Sequence, residues 1–159
     1  MQTQKISPCL WFDKEAEDAA QFYLTLFPNS RINKISRYAE GGRMPTGLAM
    51  MVDFTLDGVD FLALNGGPIF KQSEAVSFSI RCKTQTEIDH YWNGLTANGG
   101  AESMCGWLKD KFGVSWQVVP DVLPEMATGS DPAKVARMTE AMFKMRKLDI
   151  ATLVNAYNG

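Results

Sequence analysis

A chain of 159 residues with 45% apolar content can build one ordinary core or two small fused modules. Its net charge is −2 and its lysines and arginines are scattered, which argues against a nucleic-acid partner. No apolar run reaches the roughly 18–20 residues of a membrane span, no signal-peptide pattern is evident, and three widely spaced cysteines, Cys9, Cys82 and Cys105, suit a reduced, cytoplasmic protein.

Lys5 to Phe12 is the first predicted strand, and Asp13 is placed to cap the helix after it. From Glu15 to Phe27, Ala16, Ala19, Ala20, Tyr23, Leu24 and Phe27 recur at helical spacing, and Pro28-Asn29 ends the run. Arg31 to Tyr38 reads as a strand, followed by a loop at Glu40-Gly41-Gly42. Leu48 to Leu56 and Val59 to Asn65 read as a hairpin across Asp57-Gly58, where glycine tolerates positive φ.

The same order then returns. Ala75 to Cys82 is a strand with Val76, Phe78 and Ile80 on one face. Thr84 and Glu87 have capping-box spacing, Ile88, Tyr91, Trp92 and Leu95 form the apolar stripe of a helix, and Gly99-Gly100 ends it. Cys105 to Pro120, CGWLKDKFGVSWQVVP, is a hairpin whose charged turn Lys109-Asp110-Lys111 reads as solvated. In its second strand Ser115, Gln117 and Val119 alternate with Val114, Trp116 and Val118. Beyond Pro120 the chain is helical: Asp131-Pro132 opens one helix with an apolar face of Val135, Met138, Met142 and Met145, and Asp149 caps another. These helices are expected to pack on a sheet face or on a partner subunit.

The plan is thus an α+β fold of duplicated βαβββ modules with C-terminal helices. The modules span residues 1–66 and 67–120, the helical extension covers 121–159, and the whole is expected to form one compact domain.

Leu10-Trp11-Phe12, Phe22-Tyr23, Leu26-Phe27-Pro28, Leu64-Asn65-Gly66-Gly67-Pro68, Glu74 to Ile80, Asp89 to Trp92 and Cys105 to Pro120 resemble the vicinal-oxygen-chelate superfamily. This superfamily includes glyoxalase and bleomycin-resistance proteins, and the resemblance extends to its PhnB-like branch, labelled 3-demethylubiquinone-9 3-methyltransferase domains. It implies open-sided β-cups and a homodimer. In metal-dependent relatives His, Glu or Gln ligands come from the strand before the first helix of each module and from the module's last strand. Carried over, these positions fall at Pro8, about Ala63, about Ala75 and Gln117. Gln117 alone offers a ligand atom, so no metal and no other cofactor is expected.

The expected function is binding of a small-molecule ligand in a metal-free cup. Candidate ligand-binding residues are Asn65, Ser77, Trp107, Phe112 and Gln117; no catalytic residue is named. The alternative is a lyase, transferase or oxygenase of the same superfamily. Methyl transfer from S-adenosylmethionine is disfavoured, because none of the glycine pairs 41–42, 66–67 and 99–100 lies between a strand and an immediately following helix. Trp11, Phe78 and Trp116 are expected to face the helices, and Cys9 to be a buried, inert thiol. Cys105 at a strand edge is also read as unreactive. His90, the only histidine, is read as a solvated helix residue.

Overall fold

Both repeats fold as the patterning predicts, each into a four-stranded mixed sheet with one helix on one face. A computed structural model describes residues 4–42 and 44–159. The chain forms two units, one running to Gln72 and the other from Ser73 to Gly159. The C-terminal helices belong to the second unit.

In the first unit β1 (Cys9–Phe12), α1 (Ala16–Leu26), β2 (Arg31–Arg37), β3 (Ala49–Leu56) and β4 (Val59–Asn65) follow in order. The sheet order is β1-β4-β3-β2, with β1 parallel to β4 and the other pairs antiparallel. Register places Leu10 beside Ala63, Phe12 beside Asn65, Val52 beside Ala63 and Phe54 beside Phe61. These residues share the face that α1 covers, where Tyr23 stacks on Phe54 and Phe54 on Phe61 at 6.4 and 5.6 Å between ring centroids. Alanines at 16, 19 and 20 are fully buried, so a flat helix face approaches the sheet closely.

Two expectations fail here. Asp13 does not cap α1, and Glu15 in the N-cap position makes no side-chain cap bond. The orphan N–H of Ala16 instead donates to Asn65 Oδ1, 2.8 Å away on β4. Trp11 also lies on the face opposite α1. Its indole lies against Gly66 and donates to Gly67 O at 2.8 Å, with Phe70 edge-on at 4.9 Å. A Cβ on Gly66 would come within 2.2 Å of that ring. We therefore expect Gly66→Ala to cost about 1–3 kcal/mol by overpacking. Urea unfolding measures it, and an unchanged midpoint would refute the close approach.

In the second unit β5 (Phe78–Cys82), α2 (Gln85–Thr96), β6 (Ala101–Glu102), β7 (Trp107–Lys109) and β8 (Ser115–Pro120) repeat the plan, with order β5-β8-β7-β6. Thr84 Oγ1 accepts from Glu87 N–H at 3.2 Å, and Glu87 Oε2 reaches back to Lys83 N–H at 2.6 Å. The predicted first strand is shorter than expected at its start: Val76 is 67% exposed rather than packed under α2.

Lys109, Asp110 and Lys111 are not a simple solvated turn. Asp110 is buried, and its carboxylate accepts from the N–H groups of Phe112 (2.9 Å) and Val114 (3.0 Å) and from Trp116 Nε1 (2.9 Å).

After β8 come α3 (Leu123–Ala127), α4 (Pro132–Phe143) and α5 (Ile150–Asn158). Asp131 and Asp149 cap α4 and α5 as predicted. Met126, Met138, Leu148 and Leu153 form their buried core, joined by half-buried Val119, Met142, Met145 and Tyr157. The extension is bonded to the second module. Cys105 and Gly106 donate to the carbonyls of Met145 (2.8 Å) and Arg146 (2.7 Å). Gln85 bonds Leu148 O (3.1 Å) and Ile150 N–H (3.0 Å). The methionines are core, and the helices meet the module through α2, the loop before β7 and Val119 at the end of β8.

Candidate functional site

Each sheet has one face without a helix of its own module. On the first sheet that face carries Cys9, Trp11, Leu62, Leu64, Met51, Asp53 and Thr55, by alternation with the residues under α1. Asn33 Nδ2 donates to Asp53 Oδ1 and to Thr55 Oγ1, both at 3.0 Å, and Thr55 donates to Asp60 at 2.7 Å. Sequence reasoning did not find this network, because its members are spread over three strands with no local motif.

The carried-over ligand position Ala63 and the residues in phase with Pro8 fall on the helix side, and Ala63 is fully buried. The open-face neighbours of Ala63 are Leu62 and Leu64, which have no ligand atom either. Asn65, proposed as a polar handle, is fully buried on the helix side. Its Oδ1 accepts from Ala16 N–H and its Nδ2 donates to Ala49 O at 2.9 Å. It therefore leaves the candidate site and becomes a structural cap. Cys9 is exposed rather than buried; partial burial still raises its thiol above the usual range. Cys82 is buried, and desolvation, with smaller contributions from Glu87 and Asp121, pushes its thiol up to about 12.

On the second sheet, Phe78 and Trp116 pair in register on the α2 side as expected, with ring centroids 5.4 Å apart. The opposite face carries Ser79, Trp107, Lys109, Ser115 and Gln117. Trp107 stands directly across from Gln117, and Gln117 Nε2 donates to Ser77 Oγ at 2.9 Å. Three predicted residues, Ser77, Trp107 and Gln117, thus meet on one surface. Phe112 lies in the hairpin turn, held through its N–H by Asp110, with Lys111 Nζ 5.1 Å from its ring centre.

Two groups outside the five candidate residues lie on this face. Lys109 forms an ion pair with Glu74, and Ser115 is 2% exposed with an Oγ that has no hydrogen-bond partner among the described residues. Lys109 alternates with buried Leu108 and could have been placed on this face from sequence. The reach of Glu74 could not.

The donor set does not fit a transition metal. Gln117 supplies one neutral amide oxygen, and its neighbours Ser77, Ser79 and Trp107 supply no carboxylate, imidazole or thiolate. Among the described residues no three His, Cys, Asp or Glu side chains are grouped to hold an ion. A groove of about 620 Å³ between α4 and α5 is lined by Arg137, Ala141, Lys144, Thr152 and Ala156. Arg137 there donates to the carbonyls of Ala156 and Tyr157, both at 3.0 Å, so its guanidinium is engaged in closing α5.

The chain is similar to several solved structures. A PhnB protein from Bacillus cereus is 37% identical, with a TM-score of 0.69, over 74% of this chain and 99% of that one. Protein PA1353 from Pseudomonas aeruginosa is 19% identical, with a TM-score of 0.61, over 74% and 98%. The fosfomycin resistance protein FosX from Listeria monocytogenes, complexed with Mn(II) and sulfate, is 17% identical, with a TM-score of 0.56, over 79% and 98%. The last two share the fold. No curated protein matches the chain. Residues 4–119, both βαβββ modules without the helical extension, match the family described as 3-demethylubiquinone-9 3-methyltransferase. The chain belongs to this PhnB-like family of the vicinal-oxygen-chelate superfamily.

Proposed function

We propose that the open face of the second sheet binds a small molecule of mixed polarity without a metal ion. The observation that carries this reading is the convergence of Gln117, Ser77 and Trp107: an amide and a hydroxyl already bonded to each other, beside an aromatic wall. An amide can both donate to and accept from a ligand, and a tryptophan face supplies apolar contact. FosX is described with Mn(II), but the chemistry of this donor set does not transfer that ion to the present chain.

The family description suggests methyl transfer. Gly66-Gly67 here houses the Trp11 indole and Gly99-Gly100 follows α2, so neither pair opens a helix to cradle a nucleotide. We read the chain as a homodimer, as its family implies, since Ile69 and Phe70 leave 76% and 62% of their surfaces exposed. Among the described residues no helix is long and apolar enough to cross a membrane, and the free cysteines support a cytoplasmic setting.

Mass spectrometry of molecules that co-purify with the protein identifies the ligand. Gln117→Leu should then weaken its binding by at least about tenfold, as expected for loss of a polar contact to the ligand, while leaving the melting temperature nearly unchanged because Gln117 is only half-buried. Unaltered affinity would sink the assignment of this face. A thermal shift with S-adenosylmethionine, or a stoichiometric transition metal in fresh protein, would favour the enzyme reading instead.

A further inference from the structure

Glu74 lies just before β5, whereas Lys109 lies on β7, and β8 runs between those two strands. Their ion pair therefore crosses β8. Register gives the point of crossing: Lys109 stands opposite Ser115, and Phe78 stands opposite Trp116, so Ser77 leads in beside Ser115. Ser115 alternates with Trp116 and so points toward the face that bears Gln117. It is almost wholly buried there, with its hydroxyl oxygen unpartnered among the described residues. A buried hydroxyl left without a partner is costly and uncommon. An ammonium and an unused hydroxyl donor thus sit side by side on two paired strands, with a carboxylate of the chain itself on the ammonium.

We propose that Lys109 and Ser115 form the subsite for the acid group of a small organic carboxylate, and that Glu74 fills it until such a ligand displaces it. The inference rests on the open face of the second sheet being the binding surface, and it names the ligand class for that surface. Three features fit exchange. Both partners of the ion pair are substantially exposed, 40% for the Lys109 side chain and 62% for that of Glu74, and an exposed pair is weak. Glu74 is ionised at neutral pH as any exposed glutamate is, and the hydrogen bond from Lys109 holds its carboxyl further below the usual range. Trp107, two residues before Lys109 on the same face, offers a ring to the apolar part of the ligand, with Gln117 opposite it.

The test uses benzoate and its uncharged analogue benzamide at fixed ionic strength, followed by the backbone amide shifts of Lys109, Ser115 and Gln117. Removing the competing carboxylate in Glu74→Gln should tighten benzoate binding about threefold, the scale of an exposed ion pair. Lys109→Met should weaken it at least about tenfold, as loss of a charge-assisted hydrogen bond does. Benzamide should respond to neither substitution. Both residues are exposed, and melting curves verify that the variants fold.

If benzoate shifts Gln117 and Gln117→Leu abolishes the shift, while Glu74→Gln and Lys109→Met change nothing, the acid subsite is overturned and the binding face stands. Weaker benzoate binding in Glu74→Gln overturns the displacement, because Glu74 would then be helping the ligand. Absence of benzoate binding in both the native protein and Glu74→Gln overturns the proposal as well.

Discussion

Asp110→Ala should destabilise the protein by about 3–5 kcal/mol, the upper range for a single substitution, because it strands several buried donors at once. The carboxylate is 3% exposed and closes the hairpin by accepting from Phe112 N–H, Val114 N–H and Trp116 Nε1. Its own backbone adds two more bonds: Asp110 N–H donates to Val114 O at 2.9 Å, and Gly113 N–H donates to Asp110 O at 2.9 Å. Truncation leaves two backbone N–H groups and an indole N–H facing a void, where none of them gains a partner from alanine. Asp110→Asn should cost less, since an amide oxygen can still accept while the amide nitrogen cannot.

Urea unfolding of Asp110→Ala, Trp116→Phe and the double variant separates the contributions. Removing the indole donor first should make the loss of Asp110 milder, so the two effects should fall short of additivity. Strict additivity, or a cost below about 1 kcal/mol for Asp110→Ala, would show that the carboxylate is not the pivot of this hairpin.

Asn65→Ala should cost about 2–4 kcal/mol for a related reason, since it removes both a helix cap and a buried polar bridge. The side chain is fully buried between the start of α1 and the start of β3, with Oδ1 on Ala16 N–H and Nδ2 on Ala49 O. Asn65→Asp should not rescue it: a carboxylate can still accept from Ala16, but it would set a second acceptor against the Ala49 carbonyl. Because Asn65 faces α1, its variants should lower stability and leave ligand affinity at the second sheet unchanged, the reverse of Gln117→Leu. A variant at Asn65 that altered affinity without altering stability would return it to the binding set.

These two residues also mark how far the sequence could be read. Asp110 and Asn65 both stand in motifs that identified the superfamily, KDKFGVSW and LNGGP, yet their polar side chains suggested a solvated turn and a ligand handle. Each is instead a satisfied buried group. The motifs persist as units because their parts touch: the Trp11 indole needs the missing Cβ of Gly66, and Trp116 needs Asp110. On the second sheet, strict alternation in SWQVV placed Gln117 and Trp116 on their proper sides. On the first sheet, counting from Pro8 set the phase wrongly for Trp11 and Cys9, since the strand begins only at Cys9 and no short apolar run reveals which face a helix will cover.

By itself the sequence determined the features that local periodicity and short-range chemistry dictate. They include the two βαβββ repeats, the caps at Thr84, Asp131 and Asp149, and the apolar faces of the long helices. Only the tertiary structure decided which polar groups are spent on the fold and which face outward. Asn65 meets Ala16 across 49 residues, and Glu74 meets Lys109 across β8. Such contacts form because a sheet sets side by side strands that are far apart in the chain. Alternation along one strand does not specify its neighbour's register.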